Sequence, residues 1–221
     1  MNKVPLLTGL LCAGIWLPFQ ANAQTVRLGF KGGANLSNVS GNLANEDLYK
    51  NKLGFHVGAV LNLGLLGDFL SLQPEALYSQ KGFSYADKDV SINGATWHYQ
   101  GSRSFQYLDV PVLLKLKAGP LYVEAGPQYG YLLGLKDEST ISQNGQPSAG
   151  ASTSQSVKDM NRHEIGYAVG LGLQGASGLS IGLRYTGAFT DFAKNGAQND
   201  DLRDARNSVF LASIGFLLPR R

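Results

Sequence analysis

Residues Tyr107–Leu133 read YLDVPVLLKLKAGPLYVEAGPQYGYLL. In the first half, Leu108, Val110, Val112, Leu114 and Leu116 take every second position, with Tyr107, Asp109, Pro111, Leu113 and Lys115 between them. Beyond Lys117-Ala118-Gly119-Pro120 the period of two resumes. Leu121, Val123, Ala125, Pro127, Tyr129, Tyr131 and Leu133 fall on one face, and Tyr122, Glu124, Gly126, Gln128 and Gly130 on the other. Successive strand side chains point to opposite faces, so these are two strands, each apolar on one side, and so short a turn makes them an antiparallel hairpin. Strands of soluble sheets average about five or six residues, whereas a tilted strand needs about 9–11 to cross a bilayer. Both strands here have the longer dimension.

The same alternation runs outward in both directions. Val26, Leu28, Phe30, Ala34 and Leu36 oppose Arg27, Gly29, Lys31, Gly33 and Asn35. Leu53, Phe55, Val57, Ala59, Leu61 and Leu63 oppose Gly54, His56, Gly58, Val60 and Asn62. After a tight turn at 64–68, Leu70, Leu72, Pro74, Ala76 and Tyr78 oppose Ser71, Gln73, Glu75, Leu77 and Ser79. Downstream, Ile165, Tyr167, Val169, Leu171 and Leu173 lead through a turn at 175–178 to Leu179, Ile181, Leu183, Tyr185 and Phe189. In the last strand, 207–218, Phe210, Ala212, Ile214, Phe216 and Leu218 are assigned to the apolar side. Long polar loops are expected at 38–51, 83–103, 135–162 and 190–206. About eight strands with connections alternating long and short predict an all-β, eight-stranded antiparallel up-and-down transmembrane β-barrel, with short periplasmic turns and four longer extracellular loops. Pro74, Pro111 and Pro127 each remove a ladder donor, and a local bulge is expected at each.

The N-terminus has a different character. Lys3, an apolar run from Val4 to Leu17 and Ala21-Asn22-Ala23 predict a signal peptide over 1–23, leaving a barrel domain at 24–221. The single cysteine, Cys12, lies within that segment, so disulfides are not expected. Removing Lys3 leaves 18 Lys and Arg against 16 Asp and Glu, a balance of +2 that gives no argument for nucleic acid. Glycine is abundant, with 28 in 221 residues against an ordinary ~7%. A soluble sandwich would pack its apolar faces on a second sheet, but here each strand's second face carries glycine and charge.

Several blocks in order carry a resemblance: RLGFKGGANLS from Arg27, SLQPEALYSQKGF from Ser71, YLDVPVLLKLKAGP from Tyr107, LYVEAGPQYGYLL from Leu121 and GYAVGLGLQ from Gly166. Together they resemble the Bacteroidetes-type outer-membrane β-barrel family (PorT-like). The resemblance implies a barrel fold and an outer-membrane location. It implies little about activity, since members mostly lack an assigned function, although one relative acts in protein secretion across the outer membrane. The end Phe216-Leu217-Leu218-Pro219-Arg220-Arg221 departs from the family's terminal aromatic.

Alternation places Arg27, Lys31, Lys81, Lys115 and Arg184 inward with Glu75, Asp109, Glu124, Glu164 and His56. An eight-stranded barrel is about wide enough for its side chains to fill, so these groups are expected to form a salt-bridged lumen charge network that plugs it. A narrow or gated ion path is the alternative. An aromatic girdle is expected from Phe83, Tyr85, Trp97, Tyr99, Phe105 and Tyr107 on the outer side, and from Phe69 and Tyr122 on the inner. Gly170-Leu-Gly172-Leu-Gln-Gly175 matches a dinucleotide fingerprint, but no helix follows, so the glycines are read as packing. His56, His98 and His163 are too scattered for a metal set. A hydrolase would need His98 with Asp87 or Asp89, and no catalytic residues, cofactor or metal are expected. Asp191, Asp200, Asp201 and Asp204 alternate with Lys194, Arg203 and Arg206, lack calcium-loop spacing and read as a solvated loop. The expected function is a non-enzymatic, monomeric barrel. Its partners are outer-membrane lipid and a protein or ligand at the extracellular loops, with a porin-like channel as the alternative.

Overall fold

A computed structural model describes residues 26–40, 49–85, 88–92, 95–143, 146–155, 160–191 and 206–219. Residues 1–23, expected to be a signal peptide, Asp87 and the loop residues Lys194, Asp200, Asp201, Arg203 and Asp204 lie outside them. Ten strands are present among the described residues: β1 (Val26–Ser40), β2 (Tyr49–Leu66), β3 (Leu70–Tyr85), β4 (Lys88–Ile92), β5 (Ala95–Ala118), β6 (Leu121–Gln143), β7 (Gln146–Gln155), β8 (His163–Gln174), β9 (Leu179–Ala188) and β10 (Arg206–Leu217). Eight of them form a ring in the order β5, β3, β2, β1, β10, β9, β8, β6, which the β5–β6 pairing closes. Every pairing is antiparallel. A closed ring has no sheet edge, which satisfies the backbone within hydrocarbon.

The short connections gather at one end. Gly67, Gly119 and Gly178 hold φ of 55°, 61° and 92°, a region that a Cβ disfavours, and this lets the chain reverse within a few residues. By the architecture of outer-membrane barrels this end is periplasmic. The large apolar side chains that alternation assigns outward do cover the outside of the ring: Leu28, Phe30, Val57, Val123, Leu171, Leu183, Phe210, Ile214 and others are exposed there. Ile214 is 63% exposed, so the assignment of the last strand holds.

Two of the expected loops are largely strand. Residues 83–103 continue β3, form β4 and begin β5, while 135–162 continue β6 and form β7. β5 and β6 reach 24 and 23 residues, about twice what crossing requires. Beyond the ring, β4 pairs with β5 and β7 with β6. The result is a four-stranded sheet, β4–β5–β6–β7, standing outside the membrane. Neighbouring residues Tyr99 and Gln100 on β5, and Ser139 and Thr140 on β6, point to opposite faces and are all exposed, so this stretch carries no apolar stripe with a period of two.

The bulges expected at Pro74, Pro111 and Pro127 do not occur. Register is constant through each proline, and pairing lapses only toward one neighbour, at Leu61/Pro74, Glu75/Pro111 and Val112/Pro127. A strand residue offers its N–H to one side only, so a missing donor omits a rung without adding a residue. The irregularities lie elsewhere. Tyr107 pairs with Leu132 and Gln106 with Gly134, which leaves Leu133 as an extra residue in β6. Pairing of β2 with β3 lapses and shifts between Asn51 and His56.

Candidate functional site: a sealed lumen above a periplasmic bowl

The inward faces carry a polar filling whose parts come from every side of the ring. Arg184 from β9 donates to both oxygens of Glu75 on β3, Nη1 to Oε2 at 2.7 Å and Nη2 to Oε1 at 2.9 Å. It also binds Glu124 Oε1 through Nε at 2.8 Å and Nη2 at 2.6 Å. Lys31 adds a bond to Glu75 Oε1 at 2.9 Å, and Gln73 another at 2.7 Å. Charged, two-point hydrogen bonds of this kind are the strong ones, and they repay desolvation that a lone buried charge could not. Toward the outside, Lys81 bridges Asp109 Oδ1 and Glu164 Oε1, both at 2.9 Å, with Asn207 completing Glu164. Its ammonium also lies 4.5 Å from the centre of the Tyr107 ring.

Four cations (Lys31, Lys81, Lys115, Arg184) thus share the lumen with four carboxylates (Glu75, Asp109, Glu124, Glu164), all buried. Two of the expected members behave differently. Arg27 turns to the barrel's end, where Nε and Nη2 each donate at 3.0 Å to Leu218 O and Leu217 O, outside the carboxylate set. The reason is its position near the first rung of β1, beyond reach of the buried acids. His56 is buried, but its partners are neutral. Nδ1 meets Asn35 Oδ1 at 2.6 Å and Nε2 meets Ser213 Oγ at 3.0 Å. Asn35 Nδ2 already donates to Phe55 O and Gln80 O, so Nδ1 of His56 is the donor toward Asn35 Oδ1.

Above the polar layers the lumen turns apolar. Val39, Phe83, Phe105, Tyr107, Leu132 and Leu135 form one buried cluster, with Met160 against it, and Phe83 and Phe105 are 0% exposed. Four residues expected in the aromatic girdle therefore point inward: Phe83, Phe105, Tyr107 and Tyr122. Parity explains this, since Phe83, Phe105 and Tyr107 share faces with Lys81 and Asp109, and Tyr122 shares one with Glu124. Tyr85, Trp97 and Tyr99 belong to the strands beyond the membrane, and Phe69 is exposed at the β2–β3 turn. Outward aromatics instead include Phe30, Phe55, Tyr78, Tyr129, Tyr167, Tyr185, Phe189, Phe210 and Phe216. Several stack across strands, as Phe55–Tyr78 at 5.9 Å, Tyr167–Phe189 at 5.2 Å and Tyr185–Phe210 at 5.0 Å. Their signal was present in the sequence: each sits on its strand's apolar parity.

Gly170 and Gly172 of the G-x-G-x-x-G stretch make room for neighbours, Glu124 and Tyr122 respectively. A Cβ at Gly172 would lie 2.6 Å from the Tyr122 hydroxyl, and one at Gly182 would overlap the same oxygen. Tyr122 therefore lies flat against β8 and β9, and Lys115 Nζ sits 3.8 Å over its ring. Beneath them a cavity of about 470 Å³ opens at the turn end, lined by Arg27, Asn62, Ser71, Lys115, Lys117 and Gln174 among others. No group of three or more His, Cys, Asp or Glu positioned for a metal occurs among the described residues. On the outer sheet, His98 stands in register with Asp89 on β4 and Ser142 on β6. At the described end of the 190–206 loop, Arg206 Nε donates to Asp191 Oδ1 at 2.7 Å.

A closed antiparallel ring with apolar residues outside, ionised residues sealed within and short turns at one end defines an integral β-barrel of the bacterial outer membrane. The sequence matches the family described as outer membrane protein beta-barrel domain over residues 20–194, and the chain belongs to that family. No curated protein matches it. Among solved structures, the chain is similar to the attachment invasion locus protein Ail of Yersinia pestis, solved with the heparin analogue sucrose octasulfate. The identity is 13%, coverage 88% of this chain and 99% of that one, and the TM-score 0.43. It is also similar to neisserial surface protein A, at 10% identity, 86% and 96% coverage and a TM-score of 0.39. At these scores the likenesses carry no functional argument.

Proposed function

We propose that this protein is a non-enzymatic, monomeric, PorT-like outer-membrane barrel with a side-chain-filled lumen, freed of residues 1–23 on export, that binds a protein or ligand partner through its extracellular sheet. The observation that carries this reading is the β4–β5–β6–β7 sheet. Strands that continue about ten residues past the bilayer contribute nothing to membrane insertion, so their length points to use outside the cell. The sheet is braced for that use. Arg103 grips Asp137 through two bonds at 2.7 and 2.8 Å, and Lys52 from β2 donates to Ser102 Oγ at 2.6 Å. Its end strands β4 and β7 each have one neighbour in the strand order. The apolar cluster over the lumen supports a plug over a pore, because ions would have to cross a dry layer of Phe83, Phe105 and Leu132.

The test is capture of partners from intact outer membranes with the full chain and with a variant lacking 136–155, its barrel checked by heat-modifiable gel mobility. Loss of the captured partners in the folded variant is expected, and an unchanged set contradicts the reading. A fluorophosphonate probe should leave the protein unlabelled, while labelling at Ser142 would make the Asp89–His98–Ser142 row an active site and overturn the non-enzymatic assignment.

A further inference from the structure

The bowl at the periplasmic end is separate from the extracellular sheet, and its chemistry is one-sided. Lys115, only 4% exposed, stands at its ceiling. Its hydrogen-bond and ring partners are neutral, Gln174 Oε1 at 2.8 Å, Gln73 Oε1 at 3.4 Å and the Tyr122 ring, and its carboxylate neighbour is Glu124, opposite it on β6. Because Gln174 spends its oxygen on Lys115, its amide hydrogens remain as donors. Ser71 Oγ accepts from Asn62 Nδ2 at 2.8 Å, which leaves the serine hydrogen to point elsewhere. Arg27 commits Nε and Nη2 to Leu218 O and Leu217 O and keeps Nη1, while Lys117 lines the wall. Among the described residues that line it, one carboxylate, Asp68, stands with the three cations Arg27, Lys115 and Lys117, an excess of two positive charges. It is also blind: Tyr122 and the Glu75–Arg184–Glu124 layer close it above, so a solute that enters from the periplasm leaves the same way.

We infer that this bowl is a binding site for a small soluble dianion, a phosphate ester or a short dicarboxylate, held by Lys115 from above and by Arg27 and Lys117 at the mouth. A cavity of about 470 Å³ is of small-molecule size, it gathers the charged donors of Lys115, Lys117 and Arg27, and the excess positive charge of its described lining matches a dianion. The opening lies on the barrel axis and not in the lipid-facing wall, which selects a dissolved ligand.

The test is calorimetric titration of the folded full-length barrel in dodecyl maltoside with inorganic phosphate and with succinate. Saturable one-to-one binding of at least one dianion is expected. Lys115→Met and Lys117→Met should each weaken it about tenfold, and Lys136→Met on the outer sheet should leave it unchanged. Absence of saturable binding by both probes overturns the inference, as does wild-type affinity in the Lys115→Met and Lys117→Met variants. If Lys115→Met fails to fold, Lys117→Met and the NMR signal of wild-type Lys115 decide: a ligand-dependent shift at Lys115 supports the site, and an unmoved signal contradicts it.

Discussion

Arg184 shows how a charge can be kept inside a barrel eight strands wide. Its guanidinium spends bonds on two carboxylates from different strands, Glu75 and Glu124, so the three stabilise one another only together. Arg184→Met would leave those two acids facing each other with Lys31 as their nearest described cation, at 2.9 and 3.9 Å. Breaking a buried pair by removing one partner costs about 3–5 kcal/mol. A fall of that size in unfolding free energy is expected, read from urea titration by heat-modifiable mobility. An unchanged midpoint would mean that the layer is wet and weakly coupled. At this scale the sequence was informative where parity was followed and misleading where it was not. Inward charge at Lys31, Glu75, Lys81, Asp109, Lys115, Glu124, Glu164 and Arg184 follows from counting in twos. Phe83, Phe105 and Tyr107 sit next to the long connections, where a girdle is expected, but they share the inward face of Lys81 and Asp109.

Among the elements, the seam between β2 and β3 is interrupted and is mended from a third strand. Where pairing lapses between Asn51 and His56, side chains of β1 reach across. Asn35 Nδ2 donates to Phe55 O at 2.9 Å and Gln80 O at 3.1 Å, and the single hydroxyl hydrogen of Ser37 is shared between Lys52 O at 3.1 Å and Gly82 O at 2.9 Å. Gly82 N–H returns a bond to Ser37 Oγ at 2.9 Å, from a φ of 149° that favours glycine. Asn35→Ala with Ser37→Ala should cost about 1 kcal/mol per lost bond and raise amide exchange at 52–56 and 80–83 ahead of the rest of the ring. Uniform exchange would show that the seam is held by something else. None of this was legible beforehand, because a lapse in pairing leaves no mark on hydrophobic period. The extra residue Leu133 has the same effect: it lets Leu132 and Leu135 both turn inward, which a count in twos forbids. The extracellular strands were missed because strands wet on both faces look like loop.

The whole molecule is a ring stratified along its axis: a cationic bowl at the turns, two salt-bridged layers, an apolar seal and a wet sheet beyond. The seal predicts that the purified protein conducts no steady current across a planar bilayer, and a stable open state would contradict it. Ring closure and the outward greasy face were legible from the period of two. The bowl was not, because Arg27, Lys117, Ser71 and Gln174 meet only after β1, β5, β3 and β8 have closed.

The architecture requires the apolar exterior of the ring to lie in hydrocarbon. Nitroxide labels at Val123, Leu183 and Ile214, with others at Thr140 and Ser152 on the outer sheet, test that directly in reconstituted bilayers. Relaxation by oxygen and protection from a nickel chelate at the first three, with the reverse at the last two, is the predicted result. Chelate access at Val123, Leu183 and Ile214 would contradict it.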